Sequence, residues 1–148
     1  MSGVVAIDSN VVVAAVVSDH PDHETSAALL ISWSPRALAV TGHSFAEAFV
    51  TLTKHSRGGV IRWPPDRAIA ALDAVAERTQ LIGLSPAETL AAVRRYAESG
   101  GVGARLYDYL IGEAVQRTGI QTLITWNDRH FRSLFPRLTI QTPTEALR

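Results

Sequence analysis

The chain has 148 residues, of which 47% are hydrophobic, and its 14 basic residues balance 14 acidic ones. This length and apolar content suit one domain with a buried core, so we take residues 1–148 as a single domain. A net charge of +0 does not suggest a non-specific polyanion binder, although a local basic patch is compatible with RNA. Cysteine is absent, which excludes disulfides and thiolate metal sites and fits a reducing compartment.

No segment predicts a membrane span or a secretion signal. The apolar run Val11–Val17 is far shorter than the ~20 residues that a membrane-spanning helix needs. The start of the chain lacks the basic region that opens a signal peptide. We therefore expect a soluble, cytoplasmic protein that makes no membrane contact.

The first predicted strand ends in an acid. Val4–Ile7 is a short apolar run typical of a buried strand, and Asp8 follows it directly. Ligand sites in open α/β sheets lie at the carboxyl ends of the strands, which makes Asp8 a candidate site residue. Because Asp8 also precedes a predicted short helix, Val11–Val17, capping of that helix is the alternative role.

Predicted helices and strands alternate along the rest of the chain, separated by prolines, glycines and capping residues. The further helices are 23–33, 45–55, 65–78, 86–98, 104–118 and 128–134, and the further strands are 37–41, 81–84, 121–125 and 138–141. On helix 23–33 we expect Ala27, Leu30 and Ile31 to face the core. The alternation favours a three-layer α/β/α fold, with a mostly parallel sheet of four to five strands flanked by helices.

Four separate segments place polar side chains at the sheet edge where the first strand ends. One lies on the helix after strand 37–41, one near the start of helix 104–118, and one in the turn after strand 121–125. The candidate catalytic residues are Asp8, Glu47, Asp108 and either Asn127 or Asp128. Each of them alone has an ordinary alternative as a helix cap or a first-turn acid, but their conjunction favours a functional site.

Carboxylates gathered in one crevice repel one another, and a hard divalent cation is the usual physical resolution. Mg²⁺ and Mn²⁺ prefer oxygen ligands, and a chain without cysteine has no thiolate for a softer metal. Two such ions about 4 Å apart stabilise the attacking and leaving oxygens of a phosphodiester displacement. The acids therefore favour metal-dependent hydrolysis in which water is the nucleophile.

The order and spacing of these segments resemble the PIN-domain family, in particular the VapC toxins of bacterial type II toxin–antitoxin pairs. The segments that carry the resemblance are Ile7-Asp8-Ser9-Asn10, Ala46-Glu47, the stretch 103–108 that ends in Asp108, and the stretch 123–131. The resemblance covers nearly the whole chain and implies a PIN fold.

The resemblance also implies a function. It implies a Mg²⁺- or Mn²⁺-dependent endoribonuclease that cleaves a structured RNA, either a tRNA or a ribosomal RNA loop, and so inhibits translation. It places the metal near Asp8, Glu47 and Asp108, and it implies a homodimer neutralised by a small cognate VapB-like antitoxin. The fourth position, Asn127 or Asp128, stays open, and with it the number of metal ions.

Several side chains near the acids are candidate RNA contacts. Arg105 lies one helical turn before Asp108 and is predicted to bind substrate phosphate, with an ion pair to a cluster acid as the alternative. Ser44 is a weaker substrate-binding candidate, with capping, together with His43, of the Glu47 helix as the alternative. Further basic candidates are Lys54, His55, Arg57, Arg62, Arg129 and His130. Helix 65–78 carries a small apolar face suited to dimer or antitoxin packing.

Other classes fit less well. A haloacid-dehalogenase-type phosphatase also has an Asp after its first strand, but it needs a second Asp where this chain has Asn10. A phosphotransfer receiver domain needs its acids after strands, whereas Glu47 lies on a predicted helix. The glycines at 100, 101 and 103 lack the Gly-x-Gly-x-x-Gly spacing of a dinucleotide site. A catalytically inactive PIN-like RNA-binding module is the last alternative, and the three intact acids argue against it.

Overall fold

A computed structural model describes residues 3–54 and 61–148. Its strands are β1 (Val5–Ile7), β2 (Leu38–Thr41), β3 (Gln80–Ile82), β4 (Thr122–Ile124) and β5 (Thr139–Gln141). They form one five-stranded sheet in the order β3-β2-β1-β4-β5, and every pairing is parallel. The predicted parallel sheet is therefore confirmed.

Helices alternate with these strands as the sequence predicts. They are α1 (Ser9–Val16), α2 (His23–Ser32), α3 (Gly42–Thr53), α4 (Pro65–Glu77), α5 (Pro86–Glu98), α6 (Arg105–Arg117), α7 (Asp128–Leu134) and α8 (Pro143–Ala146). No helix in the described ranges is both long and apolar enough to cross a membrane.

The sheet is buried on both faces, which gives the molecule three layers. In β1, Val5 and Ile7 join one apolar cluster with α1, α3 and α4, whereas Ala6 joins a second cluster with α6 and α7 on the opposite face. Alternation along a strand explains the division, because successive side chains point to opposite faces. The predicted α/β/α architecture is confirmed.

The topology puts the end of β1 at a switch point. β1 lies between β2 and β4, so the chain leaves it in one direction to build β2 and β3 and returns on its other side to build β4 and β5. Crevices at switch points, outside the carboxyl ends of the strands, are the usual ligand sites of such sheets. The residues after β1, β2 and β4 therefore meet at one edge.

Two local predictions are corrected. Helix α3 begins at Gly42 rather than Phe45, because Thr41 serves as its N-cap and accepts a hydrogen bond from the Ser44 backbone nitrogen at 2.9 Å. On α2 the buried residues are Ser26 and Leu29, and Ile31 is 77% exposed. Leu30 packs against the core as predicted, but the contacts of α2 with α1 and α8 centre the buried face on Ser26 and Leu29 and leave Ile31 outside it.

Candidate active site

Asp8 is buried at the end of β1, with 3% of its surface exposed. One carboxylate oxygen, Oδ1, caps α1 by accepting a hydrogen bond from the Ser9 backbone nitrogen at 2.7 Å. The other oxygen, Oδ2, accepts one from Thr125 Oγ1 at 2.8 Å. Burial raises the pKa of Asp8 to about 6, with a contribution from the charge of Asp108, although the hydrogen bonds from Thr125 and Ser9 oppose the rise. Asp8 is thus a helix cap and a member of the crevice at once.

Glu47 reaches the same edge from α3. The Ser9 hydroxyl lies 3.3 Å from Glu47 Oε1 and 3.4 Å from Asp8 Oδ1, so a single donor stands between two carboxylates. Burial and, to a smaller extent, the charges of Asp8 and Asp108 raise the pKa of Glu47 to about 7, although the hydrogen bond from Ser9 opposes the rise. Glu47 therefore exchanges its proton near neutral pH.

Asp108 comes from the first turn of α6. Its Oδ2 lies 2.9 Å from His130 Nδ1, where a protonated nitrogen donates to the carboxylate. The side-chain amide nitrogen of Asn127 lies 3.0 Å from the same ring nitrogen. His130 therefore links the acid of α6 to the turn that follows β4.

The two candidates for the fourth position have different surroundings. Asn127 contacts His130 with its side chain and donates its backbone N–H to Thr125 Oγ1 at 2.9 Å. The carboxylate of Asp128 instead pairs with Arg132, one turn further along α7. The structure therefore joins Asn127 to the acids and directs Asp128 toward a peripheral ion pair.

The predicted substrate contacts also divide. Arg105 is exposed, and within the described residues it makes no hydrogen bond or ion pair, so a phosphate contact stays a prediction. Ser44 is fully buried, and its hydroxyl accepts a hydrogen bond from Thr41 Oγ1 at 2.9 Å. This arrangement uses Ser44 inside the α3 cap and leaves none of its surface for a substrate. Lys54, Arg62 and Arg129 are exposed, and His55 and Arg57 lie outside the described residues.

Thr125 is the main site residue whose role the sequence did not predict. Its hydroxyl donates to Asp8 and accepts from the Asn127 backbone nitrogen and from Asn10 Nδ2, the last at 3.3 Å. One donor and two acceptors exhaust what a hydroxyl offers. Asn10, the position at which a phosphatase needs an acid, also accepts from the Trp126 backbone nitrogen at 3.1 Å. The sequence does carry a signal for this role, because Thr125 stands at the carboxyl end of the predicted central strand 121–125.

The acids suit a hard metal ion by their chemistry. Asp8, Glu47 and Asp108 offer only carboxylate oxygens, which Mg²⁺ and Mn²⁺ prefer. The charge of Asp108 raises the pKa of Asp8, the charges of Asp8 and Asp108 raise that of Glu47, and a divalent cation would offset this repulsion. In the described part of the chain no three His, Asp or Glu side chains are close enough to form a complete metal site by themselves.

A large cavity lies near the amino ends of the strands, away from Asp8, and no carboxylate lines it. It measures about 520 Å³ and opens near Val5, Gln80 and Thr122, toward the amino ends of β1, β3 and β4. No ionisable side chain lines it. Size alone therefore does not identify the site, and the chemistry points to the carboxyl edge.

Solved structures of known proteins share this fold. VapC20 of Mycobacterium tuberculosis, described as a sarcin–ricin loop cleaving toxin, matches with 15% identity and a TM-score of 0.68, over 87% of this chain and 94% of that one. VapBC-1 of nontypeable Haemophilus influenzae matches with 16% identity and a TM-score of 0.64, over 95% and 98%. VapBC2 of Rickettsia felis, bound to a DNA fragment from its promoter, matches with 17% identity and a TM-score of 0.62, over 94% and 98%.

A family comparison covers the same residues that build the crevice. A search of curated proteins gave no match. The model of the PIN domain family, in contrast, matches residues 5–134, a range that includes Asp8, Glu47, Asp108 and Asn127. The match spans most of the 148 residues, and the fold agrees with it. The chain therefore belongs to the PIN domain family.

Proposed function

We propose that this protein is a Mg²⁺- or Mn²⁺-dependent endoribonuclease, the toxin component of a type II toxin–antitoxin system, which cleaves a structured RNA to inhibit translation. One observation carries the proposal. Three carboxylates from β1, α3 and α6 gather at the switch point of the sheet, and none of their contacts in the described residues is with Arg or Lys. Acids kept together without an Arg or Lys partner favour a bound cation.

In this proposal Asp8, Glu47 and Asp108 hold the metal. A bound divalent ion polarises the scissile phosphate and makes water a stronger nucleophile. Ser9 and Thr125 fix the orientation of the Asp8 carboxylate, and His130 fixes that of Asp108. Supporting hydrogen bonds of this kind orient carboxylate ligands in metal sites.

Glu47 is proposed to move protons during hydrolysis. Water attacks phosphorus, the new bond forms from the water oxygen, and the bond to the leaving ribose oxygen breaks as that oxygen gains a proton. The pKa of Glu47 is about 7 without a metal, and a bound cation would lower it, so Glu47 would carry a proton only when it is not a ligand of the metal. His43 Nε2, 3.8 Å from Glu47 Oε2, stands beside this carboxylate.

The class of substrate and the partner rest on resemblance. VapC20, which shares the fold, is described as cleaving the sarcin–ricin loop, which supports a ribosomal RNA loop as the target, and a tRNA is the alternative that the family resemblance implies. Two other structures with this fold are VapBC assemblies, which supports a small VapB-like antitoxin. We expect the protein to act as a homodimer as well. An apolar groove lined by Phe45, Phe49 and Ile69 between α3 and α4 offers a surface for such packing.

The activity is tested with purified protein and RNA. We expect cleavage with Mg²⁺ or Mn²⁺, and no cleavage in excess EDTA or with Asp8→Asn. Cleavage that persists in EDTA or in this variant contradicts the mechanism. Binding without cleavage by the wild type favours the inactive RNA-binding alternative. Brief expression in cells, followed by mapping of new RNA 5′ ends, identifies the target.

The partner is tested separately. A small open reading frame just upstream of the gene is the candidate antitoxin, and its product is expected to co-purify with the protein and suppress its toxicity. Co-expression that gives no complex and no relief of growth arrest contradicts the pairing and leaves the nuclease proposal intact.

A further inference from the structure

An exposed aromatic side chain stands beside the acid cluster. Tyr107 directly precedes Asp108 on α6, and 50% of its surface is exposed. Several exposed large hydrophobic residues lie on the surface of this protein, but Tyr107 is the aromatic one among those described. Neither the acid cluster nor the core accounts for its position.

The ring of Tyr107 is held in place. It stacks on His43 of α3, with ring centroids 5.2 Å apart and an angle of 22° between the planes. His43 lies one helical turn before Glu47, so the stacked pair bridges the two helices that supply Glu47 and Asp108. An aromatic ring whose orientation is already fixed loses little entropy when a ligand stacks on it.

The stacked pair borders an open pocket of about 320 Å³. The pocket is lined by His43, Ala46, Glu47, Val50, Thr51 and Tyr107. Glu47 is the acid among these residues, and the walls beside it are largely aromatic or aliphatic, with no Arg or Lys side chain. A carboxyl group and apolar walls, with no Arg or Lys to bind a phosphate, favour a neutral planar group with N–H donors in this pocket.

We propose that this pocket receives an unpaired nucleobase of the RNA, which stacks against Tyr107 beside the phosphate that is cleaved. The inference rests on the proposed nuclease function, because Glu47 belongs to both the acid cluster and the pocket. A base in the pocket therefore belongs to a nucleotide whose phosphate faces the acids. Single-stranded loops offer such bases, and stacking on an aromatic ring tolerates any base.

Binding is measured in the Asp8→Asn background, so that the probe is not cut. The probe is a short single-stranded RNA in which 2-aminopurine replaces one base, and stacking quenches its fluorescence. We expect Tyr107→Ala to weaken binding at least about fivefold and to abolish the quenching, because stacking of one base on an aromatic ring contributes that much. Tyr107→Phe keeps the ring and is expected to preserve both.

Leu90→Ala is the matched control, because Leu90 is 51% exposed and lies on α5. We expect it to change neither affinity nor quenching, and thermal melting checks that all the variants fold. Equal affinity and quenching in the Tyr107→Ala variant and its parent overturns the inference, as does a parent that binds no RNA. If Tyr107→Ala alters only the oligomeric state in sedimentation, the side chain serves a protein interface, which also overturns it.

Cleavage by the protein with Asp8 intact separates the two proposals. Tyr107→Ala is expected to raise KM by the factor seen in binding and to leave kcat within about twofold. A protein that binds and quenches but does not cut RNA contradicts the nuclease proposal alone. A protein that cuts RNA with an unchanged KM after Tyr107→Ala contradicts the base pocket alone.

Discussion

Acids at the sheet edge and acids at the surface have opposite surroundings. At the edge, burial raises the pKa of Asp8 to about 6 and that of Glu47 to about 7. At the surface, hydrogen bonds lower the pKa of two glutamates: the Ser85 backbone N–H and Arg117 act on Glu88, and Thr142 and Arg132 act on Glu145. The surface acids complete helix caps and ion pairs, whereas the edge acids carry a free-energy cost that a ligand must offset.

The contrast holds even for neighbours in the sequence. Asn127 contacts His130, whose ring is hydrogen-bonded to Asp108. Asp128, the next residue, instead pairs with Arg132. Arg132 also reaches Glu145 and donates to the Ile140 carbonyl at 3.2 Å, so Asp128 belongs to a surface network. Because Asn127 places a neutral amide near the site and Asp128 pairs with Arg132 away from it, the negative charge of the crevice is limited.

The largest expected effect separates Asp108 from Asp128. Asp108→Asn is expected to lower the rate of RNA cleavage by more than about a hundredfold, because losing a metal ligand costs more than losing a supporting partner. Asp128→Asn, the same change in the surface network, is expected to leave the rate within about twofold. Single-turnover cleavage with Mg²⁺ measures both, and equal losses in the two variants contradict the division.

The next largest loss of activity is expected from removing the Thr125 hydroxyl, which donates a hydrogen bond to Asp8. Thr125→Val keeps the shape of the side chain but removes the hydrogen-bond partner of Asp8 Oδ2 and of the Asn127 backbone N–H. We expect a 10- to 100-fold loss of cleavage, as for other supporting partners of a metal site, and a loss of about 1–3 kcal/mol in unfolding free energy.

Thr125→Ser retains the hydroxyl and is expected to restore most of both losses. Thr139→Val, at an exposed position of β5, is the control and is expected to change stability by less than about 0.5 kcal/mol. Denaturant unfolding measures stability beside the cleavage assay. A Thr125→Val variant as active as the wild type would mean that the hydroxyl does not orient the acid.

A smaller effect is expected of pH on the stability of the folded protein, with and without metal. The folded protein holds protons on Asp8 and Glu47 up to pH values of about 6 and 7, above the ordinary values of 3.8 and 4.5. The folded state therefore binds more protons than the unfolded state between about pH 4 and 7, and stability without metal falls as the pH rises through this interval. Mg²⁺ or Mn²⁺ needs the ionised acids, so the rise in Tm on adding the metal is expected to be larger at pH 8 than at pH 5.

Thermal melting with and without metal across this range gives the measurement. Glu47→Gln is expected to flatten the metal-free dependence, and Asp128→Asn to leave it unchanged. A metal effect that does not depend on pH contradicts the assignment of these acids as ligands.

The smallest effect is expected at the surface. Arg132→Ala breaks the contacts with Asp128 and Glu145, which are partly exposed. Exposed ion pairs contribute little, so we expect Tm to fall by no more than a few degrees and cleavage to stay unchanged. A large loss of activity in this variant would mean that the ion pairs of Arg132 contribute to the active site, and would contradict the division between edge acids and surface acids.

Much of the fold follows from local patterns in the sequence. Short apolar runs such as Val4–Ile7, alternating with amphipathic helices, predict a parallel sheet between helices, and parallel strands end at one edge. That geometry is enough to bring Asp8, Glu47 and Asp108 to the same side before any contact is known. The sequence thereby determined the fold class and the chemistry of the crevice.

Only the tertiary structure decided which way the neighbouring side chains point. Helix α2 turns Ile31 outward because it packs on α1 and α8, and Thr41 takes the α3 cap, which buries Ser44. The different partners of Asn127 and Asp128 depend on the turn between β4 and α7, and the contact of Thr125 with Asp8 joins residues 117 positions apart. Such directions are set by packing between segments that are distant in sequence, and no local pattern carries that information.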